Sequence, residues 1–296
     1  LRFAAIEGGT NFTTGIDGDF TDEVLLTSQG VKLDKALFAT DQTFTTGNDL
    51  TIGEIGTFQI GVTVPDGQTS AVITDLLPVG MVYIPGTAFL RLVSFDGTVS
   101  QGGVALADNS PLIGTQSGQT LTLNFSSIVA NAAPGTALAG QRFVIEYQAQ
   151  ATDNPALTAG TTVNNSATLD TPTTAPTPPV SAPVDIVEPS LTVDKEFQPS
   201  VAQANETVQM RLSVVNGSGT FNTTSFGLTL TDDDLPVDVF SVVQLATITG
   251  TGGVNTSVVN VSVTQAGGFY IINITAPANF AMAPGERLDI VFDLTI

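Results

Sequence analysis

Apolar and polar residues alternate along most of this chain. The segments Thr57-Phe-Gln-Ile-Gly-Val-Thr-Val64, Gln119-Thr-Leu-Thr-Leu-Asn-Phe125, Arg142-Phe-Val-Ile-Glu-Tyr147 and Val208-Gln-Met-Arg-Leu-Ser-Val-Val215 show the pattern and are rich in Val, Ile, Thr and Phe. Alternation places every second side chain on one face of an extended strand, and β-branched and aromatic residues pack well on a pleated surface. Gly, Asn, Asp and Pro separate these runs, and no stretch has a helical period with caps. Short strands punctuated by turn residues predict an all-β chain of immunoglobulin-like antiparallel sandwiches.

An internal repeat predicts two such sandwiches in tandem. The first copy runs through Val31-Lys-Leu-Asp-Lys-Ala-Leu37, Gly56 to Val64, Ile73-Thr-Asp-Leu-Leu-Pro78, Ala133-Pro-Gly135 and the strand from Gly140. The second repeats that order with Leu191-Thr-Val-Asp-Lys-Glu-Phe197, Glu206 to Val214, Leu230-Thr-Asp-Asp-Asp-Leu-Pro236, Ala283-Pro-Gly285 and Glu286 to Val291. The expected division is an N-terminal extension at 1–30, sandwich 1 at 31–170, a linker at 171–189 and sandwich 2 at 190–296. The linker is rich in Pro and Thr. It is expected to be extended and polyproline-like, reaching on the order of 40 Å at about 3.1 Å per residue.

The copies differ at their ends. After the strand ending near Tyr147 the first has one more, Thr162-Val-Asn-Asn-Ser-Ala-Thr-Leu169, whereas the second reaches Ile296 within the matching strand. Sandwich 2 is therefore expected to lack its last strand within this sequence. Either the chain continues beyond Ile296 or a neighbouring subunit supplies the strand by β-augmentation. The opening Leu1, in place of Met, fits a processed product or part of a longer chain.

Composition narrows the function. Lys+Arg 8 against Asp+Glu 28 gives a net charge of −20, which disfavours nucleic acid and anionic membrane surfaces as partners. The absence of Cys and His excludes disulfides, thiolate or imidazole metal sites, and Ser-His or Cys-His nucleophilic catalysis. No apolar run approaches the roughly 20 residues of a membrane-spanning helix.

Against that background the lysines stand out. Lys35 lies in line with Val31, Leu33 and Leu37, and Lys195 with Leu191, Val193 and Phe197, so both are expected to point into a core. Asp75 continues the face of Ala71 and Ile73, and Asp232 that of Phe226, Leu228 and Leu230. In the last strand of sandwich 1, Asn165 shares a face with Val163, Ala167 and Leu169. Burial deprotonates an amine and keeps a carboxylic acid protonated. Such an amine can attack an asparagine carboxamide while the acid relays protons, giving an amide cross-link and ammonia. The plainer reading of Lys35 is a side chain curling to solvent at the sandwich edge, or a salt bridge to Asp75.

At these residues the chain resembles the isopeptide-forming modules of bacterial fimbrial and adhesin proteins and the related surface-repeat family with immunoglobulin-like strands. The matching features are the first-strand lysine after an acidic-Pro lead-in (Val187 to Lys195), the Thr-Asp-x-Leu-Pro segment from Thr74 to Pro78, and the Asn-x-Ala pattern at Asn165 to Ala167. The resemblance implies a Lys35–Asn165 bond assisted by Asp75, in a load-bearing extracellular filament or stalk on a cell surface. Its partners would be neighbouring copies of the chain or adjacent domains. Sandwich 2 departs from the pattern, offering Lys195 and Asp232 as an incomplete second site.

The remaining expectations concern the ends and loops. Leu1, Phe3 and Ala5 form the natural donor strand for an incomplete neighbour; Asn11, whose face-mates Gly9 and Thr13 are poor core residues, is not expected to bond to Lys195. Asp17, Asp19, Asp22 and Glu23 surround a glycine turn and, like Asp232-Asp-Asp234, read first as a solvated acidic turn and second as a calcium site, though neither matches the EF-hand loop. No other cofactor is expected. Asn-x-Ser/Thr sequons, among them Asn216, Asn222, Asn260 and Asn273, admit glycosylation. The competing function is a surface adhesin or S-layer-type module binding a glycan or protein through Tyr83, Phe89 and Phe95. Nothing places two acids across a cleft, so an enzyme is not expected.

Overall fold

The structure, a computed structural model, describes residues 31–131, 141–173 and 175–296. The expected donor residues Leu1, Phe3 and Ala5, the acidic cluster Asp17, Asp19, Asp22 and Glu23, and Asn11 lie outside the described residues.

The first unit contains β1 (Lys32–Thr40), β2 (Asp49–Leu50), β3 (Ile55–Val64), β4 (Gly67–Leu76), β5 (Met81–Tyr83), β6 (Phe89–Arg91), β7 (Gly97–Gln101), β8 (Val104–Leu106), β9 (Gly114–Ser117), β10 (Thr120–Ala130), β11 (Gln141–Ala151), β12 (Thr162–Asp170) and β13 (Val180–Ile186). The second contains β14 (Leu191–Gln198), β15 (Thr207–Asn216), β16 (Ser225–Pro236), β17 (Val242–Gly250), β18 (Asn260–Ala266), β19 (Phe269–Met282) and β20 (Arg287–Thr295). Apart from one short 3-10 turn at Thr256–Val258, the regular structure of the described residues is all β.

Each unit is two facing sheets. In the first, β1-β3-β11-β5 packs against β2-β13-β12-β4-β10-β7-β8; in the second, β14-β15-β20-β17 packs against β16-β19-β18. The alternation read from the sequence becomes the core directly. Phe58, Ile60, Val62 and Val64 of β3 and Phe143, Ile145 and Tyr147 of β11 point inward and meet Ile73, Leu121, Leu123 and Phe125 from the opposite sheet. The second core repeats the scheme with Met210, Leu212, Ile272, Ile274, Ile290 and Phe292. On the outer face Gly61 leaves room for the Arg142 guanidinium, which a Cβ there would meet at 2.1 Å. Arg142 lies across it to pair with both oxygens of Asp34.

The linker expectation needs correction. Residues 180–186 form β13, antiparallel to β12 and parallel to β2, so more than a third of the expected polyproline strut belongs to the first sandwich. Its apolar face, Ala182, Val184 and Ile186, is buried. Pro183 sits opposite Asn164, beyond the two residues that pair with β2, on a stretch whose second edge has no strand partner among the described residues. A strand tolerates proline there because no ladder donor is lost. Only residues 187–190 connect β13 to β14.

Candidate cross-linking site

The two sheets of the first sandwich each contribute two polar side chains to one place in the core. Lys35 comes from β1 and Tyr147 from β11 on one sheet, Asp75 from β4 and Asn165 from β12 on the other. Their positions follow from register. In β1 the residues flanking Lys35, Asp34 and Ala36, are exposed while Lys35 turns inward, and its side chain is fully covered. On the facing sheet Ala167 lies opposite Asp75, so Asn165 is its diagonal neighbour on the same face, within reach of a side-chain contact. Asp75 and Asn165 are both buried completely.

The hydroxyl of Tyr147 is the node that joins them. Lys35 Nζ donates to Tyr147 Oη at 2.8 Å and to Asp75 Oδ2. Tyr147 Oη donates to Asp75 Oδ2 at 2.8 Å and accepts from Asn165 Nδ2 at 2.6 Å. The rings of Phe58 and Tyr147 lie 5.6 and 5.0 Å from the amine, giving it an apolar floor. Asp75 Oδ1 and Asn165 Oδ1 are buried without a hydrogen-bond partner among the described residues.

Burial sets the protonation states. Desolvation lowers Lys35 to about 8 despite the opposing pull of Asp75, and raises the Asp75 carboxyl against the pull of Lys35. Both shifts move the pair away from an ion pair and toward an uncharged amine beside a carboxylic acid. At about 8, roughly a tenth of the amine is neutral at pH 7, enough to supply a nucleophile. Burial also raises Tyr147 well above an ordinary phenol, keeping its proton in place.

The sequence pattern located Lys35, Asp75 and Asn165 on inward faces but missed Tyr147. Its signal was present: Phe143, Ile145 and Tyr147 share one face of β11, so the tyrosine had to bring its hydroxyl into the core.

The second sandwich gathers a different set. Lys195 pairs with Asp232 at 2.8 Å and with Asp234, but its side chain is 26% exposed, so the expectation of a buried lysine is corrected. Its pKa is raised because the hydrogen bonds and charges of Asp232 and Asp234 outweigh desolvation, which keeps it an ammonium. The exposure has a structural cause. Among the described residues β16 pairs only with β19, and the edge equivalent to the one where β12 covers β4 is open. Asp232 and Asp234 face the ammonium instead of surrounding a cation site. Phe226, expected in line with Asp232, is displaced by a register shift between Phe226 and Leu228 and meets the ring of Phe44.

An ion pair whose lysine reaches solvent and is shared with the exposed carboxylate of Asp234 contributes less than a sealed one. Lys195→Met is expected to change the urea-unfolding free energy by less than about 1 kcal/mol. A loss several times larger would show that Lys195 is held as tightly as Lys35.

The aromatic trio proposed for ligand binding divides. Tyr83 is buried against Tyr147 and Phe95 packs edge-on against Phe143, so both serve the core; Phe89 lies partly exposed under Arg91. The sequon residue Asn216 is fully buried. Its carboxamide binds backbone groups of Ser190, Thr223 and Met282, leaving no room for a glycan in the folded chain.

No protein-family model matches this sequence, and no curated protein is significantly similar to it. Among solved structures it is similar to BcpA, the major pilin subunit of Bacillus cereus, at 12% identity and a TM-score of 0.36 over 92% of this chain and 63% of that one. It is similar to the T6 backbone pilin of serotype M6 Streptococcus pyogenes at 11% identity and a TM-score of 0.39, covering 88% and 68% of the two chains. Likeness to the collagen adhesin CNA from S. aureus is 14% identity and a TM-score of 0.21, covering 90% and 80%. The chain thus spans under two thirds of the Bacillus cereus pilin. Function is read from the site.

Proposed function

We propose that this chain is a structural module of an extracellular filament or stalk, whose first sandwich staples itself by an amide bond between Lys35 and Asn165. One observation carries this reading: an amine, a carboxyl and a carboxamide meet at a single phenolic oxygen inside a sealed core. The neutral Lys35 amine attacks Asn165 Cγ, the Nζ–Cγ bond forms, the Cγ–Nδ2 bond breaks, and ammonia leaves. A proton retained on Asp75 would supply the donor that Asn165 Oδ1 lacks and stabilise the developing oxyanion. Fixed geometry in the folded core replaces an external enzyme, and the product exchanges a costly buried amine for a neutral amide.

The bond would tie β1 of one sheet to β12 of the other, a cross-link against separation of the two layers under tension. That suits a chain without cysteine. The open edge of β16 supports polymerisation or extension by strand addition, from a neighbouring copy or from an adjacent part of a longer chain. An intact mass one ammonia below the sequence value is expected. An unshifted mass would remove the cross-link, and a loss of two ammonia would place a second bond beyond the Lys35 site.

The protonation states give a second test. In Asn165→Ala no bond can form and Lys35 titrates. Its folded pKa of about 8 lies below the ordinary 10.5, so between those values the unfolded chain binds more protons and stability rises with pH. Asp75 acts in the opposite sense: its folded pKa is raised above 3.8, so its contribution is present in acid and lost as pH climbs through the folded value. The wild-type amide does not titrate. Urea-unfolding curves of Asn165→Ala are therefore expected to gain stability relative to wild type from about pH 8 upward, and parallel curves would contradict a sequestered amine.

A further inference from the structure

We infer that Tyr147 is a catalytic residue of the stapling reaction, the relay that carries a proton from the attacking Lys35 amine to the departing Asn165 nitrogen. This rests on the reading of Lys35 and Asn165 as reacting partners. Aminolysis of a carboxamide has a proton problem at both ends: the attacking nitrogen becomes acidic as its bond forms, and the leaving nitrogen departs only as ammonia. The Tyr147 hydroxyl is bonded to both nitrogens, at 2.8 Å to Lys35 Nζ and 2.6 Å to Asn165 Nδ2. Asp75 Oδ2 is bonded to Lys35 and to Tyr147, one step removed from the leaving group.

The phenol gives its proton to Nδ2 as the Cγ–Nδ2 bond breaks and regains one from Nζ, directly or through Asp75. One proton moves from Nζ to Nδ2, one ammonia leaves, and Tyr147 and Asp75 end as they began. Such positioned proton transfer accelerates a reaction by about 100-fold to 10,000-fold.

The second sandwich separates the ring from its hydroxyl. Lys35 lies opposite Ile60, which lies opposite Ile145; Lys195 lies opposite Leu212, which lies opposite Ile290. Two residues on, Tyr147 in the first sandwich corresponds to Phe292 in the second. Both are buried core rings, so packing accounts for an aromatic residue at this position. The hydroxyl occurs where the asparagine strand is present.

Tyr147→Phe keeps the ring stacked on Phe58 and removes only the relay. The full chain would be made in a cell-free reaction, stopped at intervals by acid, and its mass followed for loss of ammonia. We expect closure on the order of a hundredfold slower than wild type. Equal rates would overturn the relay while leaving the cross-link standing; no ammonia loss from wild type would overturn the cross-link and the relay together. Site-specific fluorotyrosine at 147 supplies an isosteric second variant that alters acidity alone. A changed closure rate supports proton transfer, and an unchanged one overturns it even if Tyr147→Phe fails to fold.

Discussion

Replacing Asn165 with alanine is expected to lower the stability of the first sandwich by about 5 kcal/mol. The estimate follows from chain entropy: a covalent link between residues 35 and 165 removes the conformations of a loop longer than 100 residues from the unfolded ensemble, worth about 4.7 kcal/mol in the same treatment of disulfides. The free Lys35 amine left in the core of the variant adds a smaller amount. At roughly 2–4 °C per kcal/mol for a unit of this size, the melting transition of that sandwich should fall by roughly 10–20 °C. Calorimetry on the full chain would resolve it, since the second sandwich supplies an internal reference. Melting within a degree or two of wild type would mean that no bond had been lost.

Asp75→Ala is expected to act twice. The variant keeps both reacting groups but should retain its ammonia, because no acid remains beside the carboxamide. It also leaves the unreacted Lys35 amine in the core without its principal partner, and an unpaired buried polar group costs about 1–3 kcal/mol, in addition to the missing staple. Asp75→Asn separates the two effects. It keeps the volume and a hydrogen-bonding group while abolishing the acid, so it should fold better than the alanine variant and still fail to close. Efficient closure in Asp75→Asn, read from the intact mass, would show that the carboxyl is only a packing group.

Much of this site was legible in the sequence because a strand has a period of two. Once Leu33 and Leu37 were assigned to the core, Lys35 had to face it; the same logic placed Asp75 beside Ile73 and Asn165 beside Ala167. The pattern cannot say which inward positions lie across from each other. That depends on register between strands far apart in the chain, and so the convergence on Tyr147 was invisible. β13 was missed for a local reason: four prolines in and around it masked the alternation of Ala182, Val184 and Ile186, and proline is admissible only once a strand is known to lie at an edge. Lys195 shows the converse limit. Its flanking pattern matches that of Lys35, yet burial needs a covering strand, and among the described residues no strand lies beside β16 where β12 lies beside β4.

The two lysine sites therefore differ by their surroundings more than by their own strands. Around Lys35, desolvation dominates and the amine is driven toward neutrality. Around Lys195, two carboxylates and partial solvation hold the charge. A covering strand would shift the second site toward the first by desolvating it, though Phe292 would still lack the hydroxyl that Tyr147 provides.

The most direct measurement is tandem mass spectrometry of a tryptic digest. Trypsin can cut after Lys32, Arg91, Arg142 and Lys195, and no other Lys or Arg apart from Lys35 lies within the intervals 33–90 and 143–194. A stapled chain should resist cleavage at Lys35 and yield a branched species, residues 33–91 joined to 143–195, lighter by one ammonia. Cleavage at Lys35 with release of 36–91 and 143–195 as separate, unmodified peptides would contradict the bond.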